Sequence, residues 1–320
     1  MQGNEEKKHN IRGHKILLAS VLCLFGFCLL AQKPVQNKQS RPQQEAKAQA
    51  PKKQQAKSKV YLIHSDMLRK DSRHPDAQVV TGNVVFRHDS VYMYCDSAYY
   101  YDKLGSFEAF SNVKMNQGDT LFLYGDRLYY DGNTQIAEVR NNVRMENRNT
   151  TLLTDSLNYD RLYNLGYFFD GGTLMDEQNV LTSEWGEYNP STKQSVFNYN
   201  VKLVNPQFTL TSDTLEYNTQ SKVAEIVGPS DILSDNNHIY SEQGTYNTAT
   251  GKAALYQRSI ITSDAKQLTG DTLFYDRNTG VGEAFSHMEM RDTINKNMMT
   301  GEYGYYNEKT KYAFATDKNL

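Results

Sequence analysis

One pattern restricts this chain more than any other. Tyr followed by Asp or Asn recurs at Tyr101, Tyr130, Tyr159, Tyr188, Tyr217, Tyr246, Tyr275 and Tyr306, with six spacings of 29 residues and one of 31. A period in that range marks one supersecondary unit stacked on copies of itself. Eight such units fill residues 79 to 320, so the fold must be a repeat architecture.

Counted from each Tyr, the seventh residue before it is Tyr94, Leu123, Leu152, Leu181, Leu210, Ile239, Leu268 or Met299. The ninth after it is Phe110, Val139, Phe168, Phe197, Ile226, Leu255, Ala284 or Ala315, and the seventh after it is small everywhere except at Glu108. Apolar or small residues at fixed offsets face a common interior. After the Tyr come "DGNTQ", "NPSTK", "NTQSK", "NTATGK", "DRNTG" and "NEKTK", in which Asx side chains that bond their own backbone announce tight reversals. A weaker reversal falls half a unit later, as in "MENRN" at 145 and "SDNNH" at 234. Each unit therefore reads as a hairpin, giving about sixteen antiparallel strands.

Four residues before the Tyr stands an acid (Asp126, Asp155, Glu184, Asp213, Glu242, Asp271, Glu302), always behind a Gly, Ser or Thr. Inward offsets of −7 and −2 cannot share one face of a regular strand, whose side chains alternate. A β-bulge or bend at the small-acid pair absorbs the extra residue and folds each strand from one sheet to the other. Asp goes with Leu two residues on and Glu with Gly, an alternation the pattern itself does not explain.

The chain has a net charge of −2, split as +2 over residues 1–31, +7 over 32–59 and −11 over 60–320. The repeat region thus carries no nucleic-acid footprint. Residues 1–31 place Lys7, Lys8, Arg12 and Lys15 before the apolar run Ile16–Ala31, an export signal or short membrane anchor. The run is shorter than the roughly 20 residues that span a bilayer, which favours a cleavable signal. Residues 32–59, rich in Gln, Lys, Pro and Ala, form a disordered basic linker. Residues 60–320 are the folded domain. Once the signal is removed only Cys95 remains, so no intramolecular disulfide can form.

The stretch "VVTGNVVFRHDSVYMYCDSAYYYD" (79–102), a Gly-Asn-Val opening, a strand, a turn and a second strand with Asp and Tyr, resembles the OstA-like (organic solvent tolerance protein A) family, the LptA-type periplasmic lipopolysaccharide-transport proteins. The resemblance extends over 79–320. It implies an all-β, open antiparallel jellyroll whose apolar groove carries the acyl chains of lipopolysaccharide or a similar glycolipid toward the outer membrane. It also implies partners that join through edge strands, either other jellyroll-containing transport proteins or further copies of this chain, and a periplasmic location with or without an inner-membrane anchor. The edges are expected near 79–87 and 311–316, the latter blunted by Lys309, Lys311 and Lys318.

On that reading the lipid groove is lined by Leu123, Leu152, Leu181, Leu210, Ile239, Leu268 and Met299 together with Phe110, Val139, Phe168, Phe197, Ile226 and Leu255, and widens toward Ala284 and Ala315. The competing reading is a lipid-free structural repeat or surface adhesin, built as a parallel β-helix. Catalysis needs two carboxylates in unlike environments, whereas the repeated acids occupy equivalent ones. The sequence therefore points to no enzyme, no metal spacing among His64, His74, His88, His238 and His287, no cofactor and no nucleotide-binding loop to power movement.

Overall fold

The computed structural model describes residues 58–234 and 237–317. The signal or anchor (1–31) and all but the end of the linker lie outside the described residues. In chain order the strands are β1 (Tyr61–His64), β2 (Met67–Asp71), β3 (His74–His88), β4 (Val91–Tyr101), β5 (Ser106–Gln117), β6 (Leu121–Asp131), β7 (Ile136–Asn147) and β8 (Thr150–Asp160). Then follow β9 (Leu165–Phe168), β10 (Gly172–Asp176), β11 (Asn179–Ser183), β12 (Trp185–Tyr188), β13 (Gln194–Asn205), β14 (Phe208–Asn218) and β15 (Val223–Ser234). The last are β16 (Asn237–Asn247), β17 (Lys252–Ser263), β18 (Lys266–Asp276), β19 (Val281–Asp292), β20 (Asn297–Asn307) and β21 (Tyr312–Thr316).

Every described strand pairing is antiparallel and joins chain neighbours in one continuous meander. β1 and β2 both pair with β3, β9 and β10 with β8, and β11 and β12 with β13, so each of these pairs is one strand interrupted at its bend. The 21 segments therefore make 18 strands, slightly more than the spacing suggested. Antiparallel hairpins exclude the parallel β-helix. Because the first and last strands do not pair, the roll is open.

The bend lies where the sequence puts it. The β6–β7 register slips between Tyr124 and Arg127, at the Gly125-Asp126 pair, and the β7–β8 register slips between Arg140 and Val143. On the facing strand two successive residues take positive φ, Asn141 at 64° and Asn142 at 51°, as do Ser111-Asn112, Tyr199-Asn200 and Ser286-His287. Four of the acids clamp that kink. Asp96 accepts from Asn112 Nδ2 at 2.7 Å, Asp126 from Asn142 Nδ2 at 2.6 Å, Glu184 from Asn200, and Asp271 binds His287 Nδ1 at 2.8 Å. The hydroxyls behind the acids close the bulge itself, Ser212 Oγ donating to Thr214 O at 2.8 Å and Ser241 Oγ to Gln243 O at 2.9 Å. These four acids and the hydroxyls tie the crease along which the sheet folds over.

Folding at that crease lays two half-sheets face to face over one core. Residues 121–124 and 144–147 belong to the first, residues 127–131 and 136–140 to the second. Contact across the core is direct: a Cβ at Gly282 in the second half-sheet would lie 3.2 Å from Leu268 Cδ2 in the first. At Gly186 the Glu-Gly choice has a packing reason. Gly186 stands between Phe168 and Phe197 on the flanking strands, and a Cβ there would sit 2.6 Å from Phe168 Cζ. Gly304 instead stands between Ala284 and Ala315 with Met288 in its space, and Leu215 fits between Phe197 and Ile226, so the size of the flanking residues does not by itself set the alternation.

Two expectations need correction. In the first unit the inward Tyr is Tyr100, not Tyr101, because the turn closes from Gly105 N to Tyr101 O where the later turn closes from Gln135 N to Asp131 O. The inward residues are therefore Met93, Phe107 and Ala109, so the first unit places the large Phe107, not Glu108, where the others carry a small residue. Residues 79–87 are also not an edge, since β1 and β2 cover β3, and the N-terminal edge is Tyr61–Asp71. At the other end β21 pairs with residues 303–307 of β20, and among the described residues no strand pairs with the outer side of 297–300.

Candidate functional site

Eleven of the thirteen groove candidates (Leu123, Leu152, Leu181, Leu210, Ile239, Leu268, Val139, Phe168, Phe197, Ile226 and Leu255) line the interior, each at most 3% exposed. Met299, on the half-covered end of β20, is partly buried against the same core. Phe110 is on the outer face: its ring is 5.5 Å from Tyr99 and carries the Arg127 guanidinium at 5.4 Å. Ala109 takes its inward place.

Among the described residues the interior is filled, and the small residues at Ala284 and Gly304 face Met288 and its neighbours instead of an open cleft. A void of about 10 Å³ lies among Ile261, Leu268, Gly282 and Met290, room for about one water. Met288 fills the rest, its Cε reaching within 2.0 Å of where a Gly304 Cβ would be. Unbranched Met adapts to the space that Gly and Ala leave, which a count of small residues overlooks.

Opposite the crease, the two rows of turns meet in a long polar seam. The Asx turns form one row: Asn218 Oδ1 accepts from the Gln220 and Ser221 amides at 2.9 Å, and Thr219 N donates to Lys193 O of the preceding turn at 3.0 Å. From this row the repeated Tyr hydroxyls and the last residue of each turn reach the other. Tyr188 Oη donates to Asn147 Oδ1 at 3.2 Å, Tyr217 Oη to Asp176 Oδ2 at 2.8 Å, and Asn237 Nδ2 donates to Tyr275 Oη at 2.6 Å. Lys222 Nζ binds Asp176 at 2.8 Å and Lys311 Nζ binds Asp264 at 2.7 Å. The lysines quoted in the turn motifs are thus seam residues, legible in "NPSTK", "NTQSK" and "NEKTK" but read there only as turn endings. His88, Arg161, Asn147 and Asp176 were missed as seam residues; Asn147 and Asp176 stand one repeat of 29 apart at the weaker reversals, a spacing that signals a turn but not its partner across the seam.

Burial sets the electrostatics. Desolvation raises the phenol of Tyr130 to about 12 and moves those of Tyr159, Tyr217 and Tyr275 up as well, so the seam hydroxyls stay protonated donors. His88, fully buried, is held below its ordinary value by desolvation and then by Arg161. Its Nδ1 lies 2.6 Å from Tyr130 Oη and 3.1 Å from Arg161 Nη1. Because Arg only donates, Nδ1 is the accepting nitrogen of a neutral ring. Along the middle of the seam a groove of about 600 Å³ opens between the turns at 147–150 and 176–177 and those at 190–193 and 219–222. The arrangement is an apolar interior under a lid of exchangeable polar contacts.

A family model described as OstA-like protein matches residues 57–213 and 209–271. No curated protein shows significant similarity to the chain. One matching solved structure is the crystal structure of LptH, the LptA homologous periplasmic component of the conserved lipopolysaccharide transport device from Pseudomonas aeruginosa. It is 9% identical, covers 52% of this chain and 79% of that chain, and superposes with a TM-score of 0.16.

Proposed function

The chain belongs to the OstA-like protein family, and on that premise we propose that it is a non-enzymatic periplasmic carrier, binding lipopolysaccharide or a similar glycolipid and passing it toward the outer membrane. The observation that carries this reading is the continuous apolar interior closed along one side by side-chain hydrogen bonds and ion pairs. Each CH₂ removed from water contributes about 0.8 kcal/mol, so a twelve-carbon chain gains on the order of 9 kcal/mol before ordering costs. A seam hydrogen bond contributes about 0.5–1.5 kcal/mol net. Parting a few of them is within that gain, and the core residues exchange apolar contact with each other for apolar contact with the guest. Carriage therefore works by opening the lips of the roll, not through a standing channel. The Tyr61–Asp71 edge, with Tyr61, Ile63, Met67 and Leu68 exposed, and the free half of β20, with Met298 exposed, are the ends through which a partner roll or another copy would extend the sheet.

Photoreactive side chains at Leu210 and Ile226 should label with glycolipid extracted alongside the protein, while one at Glu216 on the outer face should not. Equal labelling at all three positions removes the interior route. A protein that yields no lipid from its own membranes is the lipid-free scaffold instead.

A further inference from the structure

The groove on the seam is electrically divided. At one end Asp176, 1% exposed, is matched by Lys222 Nζ at 2.8 Å, and Glu177 lies 3.3 Å from the same ammonium. At the other end Arg148 and Lys193 line the same groove from opposite rows of turns. Lys193 Nζ donates to Asn147 Oδ1, which leaves it two further donors and no carboxylate among the described residues. Arg148, exposed at the tip of the 147–150 turn, has no ion-pair or hydrogen-bond partner among the described residues. Elsewhere on the seam the turn lysines Lys222 and Lys311 each meet an Asp. Lys193 sits at the equivalent place and meets an amide and a second cation instead. Desolvation and the Arg148 charge both hold its ammonium below the ordinary lysine value. Two facing cations with spare donors, beside the buried hydroxyls of Thr150 and Thr219, suit an oxyanion that presents several acceptor oxygens.

We propose that Arg148 and Lys193 form a phosphate-binding site at the mouth of the roll, taking the phosphomonoester of a lipid headgroup. This rests on the carrier reading above: acyl chains that part the seam leave their headgroup among the turns. Binding there neutralises a pair of like charges that the closed seam leaves facing each other.

The test uses the full chain in nonionic detergent, titrated calorimetrically with inorganic phosphate, a monophosphorylated diglucosamine lipid and the same lipid after dephosphorylation. The phosphorylated lipid should bind about 10- to 100-fold more tightly than the dephosphorylated one, the range of a charged hydrogen-bonded contact. In R148A/K193M the two lipids should bind alike, at the affinity of the dephosphorylated lipid, while K202M, at an exposed lysine of β13 away from the seam, keeps the difference. An unchanged circular dichroism spectrum separates this loss from misfolding. Two lipids of equal affinity in the unaltered chain overturn the site and leave the carrier reading standing. Inorganic phosphate binding as tightly as the lipid, and lost in R148A/K193M, keeps the phosphate site but assigns it to a free anion and counts against the carrier. Failure of all three probes to bind overturns the site.

Discussion

At the scale of single residues, a neutral His88 makes stability depend on pH in a defined direction. Its folded pKa lies below the ordinary 6.5, so between those values the unfolded chain binds the extra proton and protonation opposes folding. Stability contributed by the neutral ring is complete above about pH 6.5 and is lost as pH falls toward the depressed value. Thermal unfolding between pH 7.5 and 5 should show a midpoint that drops below pH 6.5 in the unaltered chain and drops less in His88→Gln; parallel profiles would contradict it. Gly186 makes a second residue-scale case, since a side chain there meets Phe168 Cζ at 2.6 Å. Gly186→Leu should cost about 1–3 kcal/mol by overpacking, and Phe168→Ala in the same chain should recover part of it, both read from urea midpoints. A loss that Phe168→Ala does not lessen would place the strain elsewhere.

At the scale of the element, the bend is the unit of construction, and its clamp joins an acid to an Asn or His 16 residues on. Asn142→Ala removes that hydrogen bond and puts Ala at a φ of 51° where Asn is better tolerated. It should destabilise by about 1–3 kcal/mol, whereas Asn158→Ala on the second half-sheet should change little; equal effects would show that the clamp does not matter. Much of this element was legible because a bend repeated at one pitch leaves a parity conflict between −7 and −2 that only an inserted residue resolves. The turns were legible because Asn and Asp bond their own backbone. Register in the first unit was not, since Tyr99, Tyr100 and Tyr101 offer three equivalent landmarks and only the closing of the turn at Gly105 chooses among them. The filled interior was also hidden. Small residues at Gly304 and Ala284 look like vacancies until Met288, whose position the bend decides, is placed against them.

At the scale of the whole molecule, the proposed carriage puts cargo in the interior and makes the seam its way in. The seam was the least legible part, because its partners lie 38 to 47 residues apart and come from two rows of turns that only the fold-over brings together. The most direct test is to hold the seam shut. Asp176→Cys and Lys222→Cys, joined across the lips by a short bismaleimide in a Cys95→Ala background, should abolish glycolipid labelling from a photoreactive residue at Leu210, while the same chain left unjoined should label fully. Undiminished labelling with the lips joined would contradict entry along the seam.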